Sequence, residues 1–213
     1  MGLKLVTAPN SNVITLDEAK AHLREDSDDF NLQIQAFVYA ATQFVDGPTG
    51  FLGRALIDQT WDYYLDVFPC RHDFSFPVSG RRNFIEIPLP PLIEVLGVFY
   101  LDASGTEQEF NASNYIVDDA SQPARIVLKS SASWPSTVDQ QNAIRIRFRA
   151  GYIDATNSPA TPNVPFTIKA AILMYVGDLY QNRENQVVGD TVAKLPWASE
   201  QLLRPHRVYL SMA

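Results

Sequence analysis

Ile144-Arg145-Ile146-Arg147-Phe148-Arg149 alternates apolar and cationic side chains without a break. Successive side chains of a strand point to opposite faces. The run therefore predicts a strand over 143–150, with Ile144, Ile146 and Phe148 on a core face and Arg145, Arg147 and Arg149 in a row on the other. Three like charges in a row repel unless something offsets them. One answer is a facing row of carboxylates, from the same chain or a neighbouring subunit. Another is a polyanion such as DNA. The chain carries 24 Asp plus Glu against 17 Lys plus Arg, a net charge of −7, and this surplus favours carboxylates. The row is assigned to an inter-subunit contact. Arg81-Arg82 is a weaker basic pair in an expected loop.

The same two-residue period appears upstream. Trp61, Tyr63, Leu65 and Val67 share one face of a predicted strand. Shorter runs of strand type lie at 83–88, 95–102, 106–110, 115–118 and 125–129. Asp102-Ala103-Ser104-Gly105 is a hairpin turn signal between two of them. Pro88, Pro90 and Pro91 have no N–H for a ladder, so that stretch is a bend or an edge. Many short strands with frequent turns suggest a small antiparallel sheet, sandwich or partial barrel.

On either side the period changes to that of a helix. Thr15-Leu16-Asp17-Glu18 matches a capping box and predicts a helix ending near Arg24 or Glu25. A second helix is expected from Ser27, with Asp28 and Asp29 at its positive end. Phe30, Ile34, Phe37, Val38, Ala41, Phe44 and Val45 form its stripe, and Gly47-Pro48 ends it. Near the other end of the chain, Pro165 suits a first helical turn. Ile168, Ile172, Tyr175, Val176 and Leu179 continue as one stripe. The tail from Val188 lacks a period yet holds Trp197, Leu202, Leu203, Val208, Tyr209 and Leu210. The expected architecture is α+β. An N-terminal helical hairpin (1–56) and a C-terminal helix (163–187) form a helical bundle. A small antiparallel β domain (57–152) is inserted, and an extended tail (188–213) ends the chain.

Composition bounds the function. A chain of 213 residues makes one domain or two small ones. With 46% apolar and 19% charged residues it is not intrinsically disordered. The acidic balance argues against a protein that coats DNA. No stretch approaches the ~20 apolar residues of a membrane helix, and Met1-Gly2-Leu3-Lys4-Leu5-Val6 carries no signal-peptide pattern. A single cysteine, Cys70, provides no intrachain disulfide. The expectation is a soluble chain that folds in a reducing cytoplasm and meets no membrane.

Candidate chemistry is thin. Cys70-Arg71-His72-Asp73 places a thiol beside a histidine, but thiol nucleophiles and their bases normally come from separate elements. His22, His72 and His206 are far apart in sequence, without metal-ligand spacing. Glu25-Asp26-Ser27-Asp28-Asp29 lacks the glycine and closing glutamate of a calcium loop. Gly47-Pro48-Thr49-Gly50-Phe51-Leu52-Gly53 lacks the lysine of a phosphate loop and comes after a helix rather than a strand. No catalytic residue, metal site or cofactor is assigned. A cysteine-dependent hydrolase using Cys70 and His72 is the weakest alternative.

Several of these stretches, in order, carry a likeness. Val13-Ile14-Thr15-Leu16-Asp17-Glu18-Ala19-Lys20-Ala21-His22-Leu23-Arg24 resembles the start of the phage head–tail connector (adaptor, head-completion) family. Thr49-Gly50-Phe51-Leu52-Gly53-Arg54-Ala55-Leu56 with Gln59-Thr60-Trp61 is similar to that family's link from its helices into its first strand. Ile87-Pro88-Leu89-Pro90-Pro91-Leu92, Tyr115-Ile116-Val117-Asp118, Trp134-Pro135 and Phe148-Arg149-Ala150-Gly151-Tyr152 continue it. Val164-Pro165 with Ile168-Lys169-Ala170-Ala171-Ile172 resembles the start of the last helix. The segment from Cys70 through Arg82 departs from the pattern, so nothing is carried over to it.

The resemblance implies a structural part of a tailed phage or a phage-like gene transfer agent, and no enzyme. It implies a homo-oligomeric ring, a dodecamer by the portal's symmetry, below the portal protein at the vertex through which DNA packaging and ejection occur. The ring would extend the DNA channel and meet the next neck or tail protein, with DNA passing through the lumen without sequence-specific binding. Assembly would begin in the host cytoplasm and end in the virion. Trp197, Leu202, Leu203, Val208, Tyr209 and Leu210 are the residues expected to dock on the portal. The hairpin and last helix are the expected ring wall. The alternative within the same particle is another neck component, a stopper or tail-completion protein.

Overall fold

The first described residues already lie in a sheet. In the computed structural model, which describes residues 2–69, 84–154, 161–182 and 197–208, strand β1 (Gly2–Thr7) pairs antiparallel with β2 (Gln59–Leu65). After β2 come β3 (Phe84–Glu86), β4 (Leu92–Leu101), β5 (Glu107–Glu109), β6 (Tyr115–Asp118), β7 (Arg125–Leu128) and β8 (Ile144–Ala150). They make a five-stranded sheet of order β1-β2-β8-β4-β5 and a three-stranded sheet of order β3-β7-β6, both antiparallel. The proline stretch at 88–91 is the connection from β3 into β4.

β8 sits at the centre of the larger sheet, between β2 and β4. Ile144, Ile146, Phe148 and Ala150 are fully buried, and the arginines between them are half-buried. Each fully buried Ile or Phe contributes about 1.5–3 kcal/mol relative to exposure, so this one strand face is a large share of the β core. Aromatic rings tie the two sheets together. Phe68, just past β2, stacks on Trp134 at 4.7 Å between ring centres, Trp134 meets Phe110, and Phe110 stacks on Tyr115 of β6.

The second unit is helical and spans 10–57 and 153–208 of the described residues. α1 (Leu16–Leu23) starts on the capping box: the Glu18 amide donates to Thr15 Oγ1 at 3.1 Å, and the Thr15 amide donates to the Glu18 carboxylate at 2.8 Å. Arg24 ends it in the left-handed conformation. α2 (Asn31–Val45) starts four residues later than Ser27. The Ser27 hydroxyl accepts from the Asp29 amide and donates to the Asp29 carboxylate, which holds a local turn in place of a first helical turn. Asp28 is spent on Lys20 and Asn31. α3 (Phe166–Gln181) packs against α1, α2 and α4 (Trp197–Leu203), of which Trp197 is described through its backbone. Ile34, Val38, Ala41 and Val45 of α2 and Ile168, Ala171, Ile172 and Val176 of α3 are buried. Lys169 reaches Glu18 at 3.4 Å, and the Tyr180 hydroxyl donates to Glu25 at 2.7 Å. A two-residue strand pair, β9 (Ile153–Asp154) with β10 (Thr161–Pro162), belongs to this unit.

The expected helical bundle with a small inserted β domain and an extended tail is therefore corrected. Among the described residues there are four helices and two antiparallel sheets of eight strands, and the sheet unit is about as large as the helical one. The larger sheet takes its edge strand β1 from ahead of the hairpin, so it is no simple insertion. The tail is not extended throughout: residues 197–203 are helical, and Leu203 and Ser199 are buried. A seven-residue helix shows too few turns for its period to register in sequence.

Candidate assembly surfaces

The arginine row is built by register. Arg147 lies opposite Asp62 of β2, and Arg149 lies opposite Glu94 of β4. The Arg147 Nε and Nη2 donate to the two Asp62 carboxylate oxygens at 2.8 Å each, a fork-on-fork pair. Arg149 donates to Asp58 and, from Nη1, to Glu94. Arg145 donates to Glu107 of β5 at 2.8 and 3.1 Å, and its Nη1 lies 3.6 Å from Asp62, an ion-pair distance too long for a hydrogen bond. The carboxylates therefore come from this chain's own β2, β4, β5 and the approach to β2. Every member of the row already has a partner without a second subunit.

The electrostatics match the geometry. Burial alone would raise the Asp62 carboxyl, but the Arg147 and Arg145 guanidiniums hold it below the usual carboxylate range. Hydrogen bonding to Asp62 raises Arg147 further, and Asp58 and Glu94 do the same for Arg149. Beneath the row, the Arg145 guanidinium lies 4.1 Å from the Phe99 ring centre. Gly97, opposite Arg147, makes room for that ring: a Cβ there would meet two Phe99 ring atoms at 2.7 and 2.8 Å.

The C-terminal segment lies on the link between α2 and β2. The Val208 amide donates to the Leu52 carbonyl at 2.9 Å. The buried Arg54 donates from Nε to the His206 carbonyl, and the Arg207 guanidinium sits 4.7 Å from the Phe51 ring centre. The His206 ring pairs with Thr167 at 2.8 Å, and burial together with Arg54 pushes its pKa below the ordinary histidine value. The link must be glycine-rich to do this. Gly53 has φ +62 and its Cβ position would lie 3.0 Å from the Val208 carbonyl; a Cβ on Gly50 would lie 2.2 Å from the Asp46 carbonyl. The glycines, which lack the lysine of a phosphate loop, form a close backbone cradle in the link from α2 to β2. Sequence reasoning missed Arg54 and this cradle, although the three glycines in seven residues were their signal.

Of the residues expected to dock on a partner, Leu203 is taken up by this chain's own core, and Leu202 and Val208 are half-buried. The Trp197 side chain, Tyr209 and Leu210 lie outside the described residues, as do Cys70, His72, Asp73, Arg81 and Arg82. His22 and His206 are not brought together into a ligand set: among the described residues no group of three or more His, Cys, Asp or Glu could hold a metal ion. No helix among the described residues is long and apolar enough to cross a membrane.

The helical unit also exposes large apolar side chains. Leu32 is 90% exposed, Tyr39 52% and Phe166 87%. Isolated cases are ordinary, but Leu32 and Tyr39 share one helix.

No protein-family model and no curated protein matches the chain. Solved structures do. A chain from the neck of an empty gene transfer agent particle, computed with C6 symmetry, superposes with a TM-score of 0.69 at 19% identity, covering 98% of this chain and 96% of that one. A chain from the virion of the native gene transfer agent particle gives 0.68 at 18% identity with the same coverage. A chain from the neck of the native particle, computed with C12 symmetry, gives 0.62 at 18% identity. The likeness is one of fold, and it runs over nearly the whole length of both partners.

Proposed function

We propose that this chain is a structural, non-enzymatic ring subunit in the neck of a tailed phage or gene transfer agent particle, and that it acts as the head–tail adaptor. The observation that carries the reading is the likeness of fold, over 98% of this chain, to chains from gene transfer agent necks, across both units rather than one. Symmetry in the neighbouring necks supports a closed ring of copies around the DNA channel. A net charge of −7 suits a conduit, since a surface short of cations does not hold phosphates. The arginine row fits this role because its charges are already spent on Asp58, Asp62, Glu94 and Glu107.

In this role the portal sits on one side and the next neck or tail protein on the other. The end of the chain beyond Val208 is the proposed portal contact, because the residues up to Val208 are anchored on the link and fix where that end departs. Twelve copies would add avidity to a weak contact. Binding to immobilised portal protein of the same particle tests the assignment. An adaptor binds it directly, and a chain ending at Val208 keeps its fold but loses that binding. A stopper or tail-completion protein binds the tail-side partner and ignores the portal; that result reassigns the chain within the neck.

A further inference from the structure

Resting on the ring reading, we infer that the outer face of α2 is the seat for the next copy of this chain, and that the next copy's Phe166 is the anchor it receives. α2 has no charged side chain in fifteen residues. Its inner stripe, Ile34, Val38, Ala41 and Val45, is buried within its own unit. Leu32, Ala36, Tyr39 and Gln43 are spaced by four, three and four, which gathers them on the opposite side of the helix, and all four are exposed. A surface helix normally turns charges to water on that side. A contiguous uncharged stripe there is an interaction surface.

The occupant is argued from chemistry and symmetry. A stripe without cations has nothing with which to hold DNA phosphates. A ring made of one chain is heterologous, so each copy must carry two different patches that fit one another. The same unit carries a second neutral patch. Phe166 opens α3 with 87% of its surface exposed, and Ala170, one turn on, is exposed beside it on the side away from Ile168 and Ile172. Ala36 lies between Leu32 and Tyr39, a low point flanked by two larger side chains, and an aromatic anchor entering such a hole is the usual centre of an interface. Charge is compatible as well: the α2 stripe carries no ion, and Lys169, beside Phe166, is already paired with Glu18 at 3.4 Å.

The test uses Leu32→Glu, Tyr39→Glu and Phe166→Glu in the full chain, with copies per assembly counted by native mass spectrometry, alone and on portal protein. These positions are exposed, so thermal melts should match the wild type. Each variant is expected to lose multi-copy assembly, with neighbour affinity weakened about tenfold or more by a charge left unpaired in an apolar contact. A mixture of Leu32→Glu and Phe166→Glu should stop at pairs, because each variant keeps one competent patch. Leu32→Glu and Tyr39→Glu assembling like the wild type would overturn the assignment alone. Loss in Leu32→Glu with none in Phe166→Glu would also overturn it, because α2 would then face itself or another protein. A wild-type chain that stays single in both conditions would overturn the ring reading and this inference with it.

Discussion

The two units treat their outward chemistry in opposite ways. In the sheet unit the conspicuous feature is the charge row of β8, and that row is answered within the chain: each of its arginines is paired to a carboxylate on β2, β4, β5 or the approach to β2. In the helical unit the conspicuous feature is apolar surface, and a stripe of it on α2 is left to water. A self-satisfied charge ladder stabilises a fold and asks for no partner. Exposed apolar area on an uncharged helix destabilises nothing in isolation yet gains free energy only when something covers it. The sheet unit exposes scattered apolar side chains as well, among them Val67 and Ile116, so what sets the helical unit apart is that Leu32 and Tyr39 share one helix without a charge, and this is why we propose assembly there.

Breaking the ladder gives the largest expected effect on the fold. Asp62→Ala leaves Arg147 without its bidentate partner and removes the nearby charge from Arg145. Asp62 is buried while Arg147 is partly exposed, so the loss is about 2–3 kcal/mol, below the full value for a buried pair. Urea denaturation measures it, and Asp62→Asn should recover only part. If Asp62→Ala were as stable as the wild type, the ladder would not be what stiffens the sheet unit.

The cradle comes next. Gly53→Ala places a side chain at a left-handed φ and against the Val208 carbonyl, a cost of about 1–2 kcal/mol. Hydrogen exchange at the Val208 amide should quicken, because that amide donates to Leu52. Truncation sharpens the same point. Removing everything after Gly189 takes away α4 with its buried Leu203 and should destabilise the helical unit, whereas stopping at Val208 should not.

Smaller effects lie in the capping and the turn. Thr15→Ala removes the capping oxygen at α1 and should cost about 1 kcal/mol. For pH, Asp62 and Asp102 are both depressed carboxylates. Hydrogen bonds from the Ser104 hydroxyl, the Thr106 amide and Gln108 bring Asp102 to about 2. A depressed pKa means that the unfolded state takes up protons first as pH falls. The stabilisation from each is thus present above the ordinary aspartate value of 3.8 and is lost as pH falls through its depressed folded value, about 2 for Asp102. Asp62→Asn should flatten that part of the profile.

How much is legible in the sequence depends on the range of the interaction concerned. The capping box at Thr15 and the alternation at 144–149 are local, and both appear in the structure where the sequence puts them. The identity of the carboxylates facing the row is not local. Asp58, Asp62, Glu94 and Glu107 meet the β8 arginines only because β2 and β4 flank β8 and β5 lies beyond β4, an order that spacing along the chain does not reveal. Strand β1 is hard to read because six residues ahead of a strong helix signal alternate too briefly. α2 starts later than its sequence suggests because Ser27, a good cap in isolation, closes a turn with Asp29 instead. The outer stripe of α2 is hidden by the richness of its inner one: seven positions account for the core face, while Leu32, Ala36, Tyr39 and Gln43 fall outside it, and the absence of charge among them is the signal that goes unread.

We propose that the chain assembles as a ring on the portal through its helical unit. The most direct measurement is the native mass of the full-length protein mixed with the portal protein of the same particle, set against the protein alone. Many copies should join each portal. A single copy per portal, or a chain indifferent to it, would overturn ring assembly on the portal.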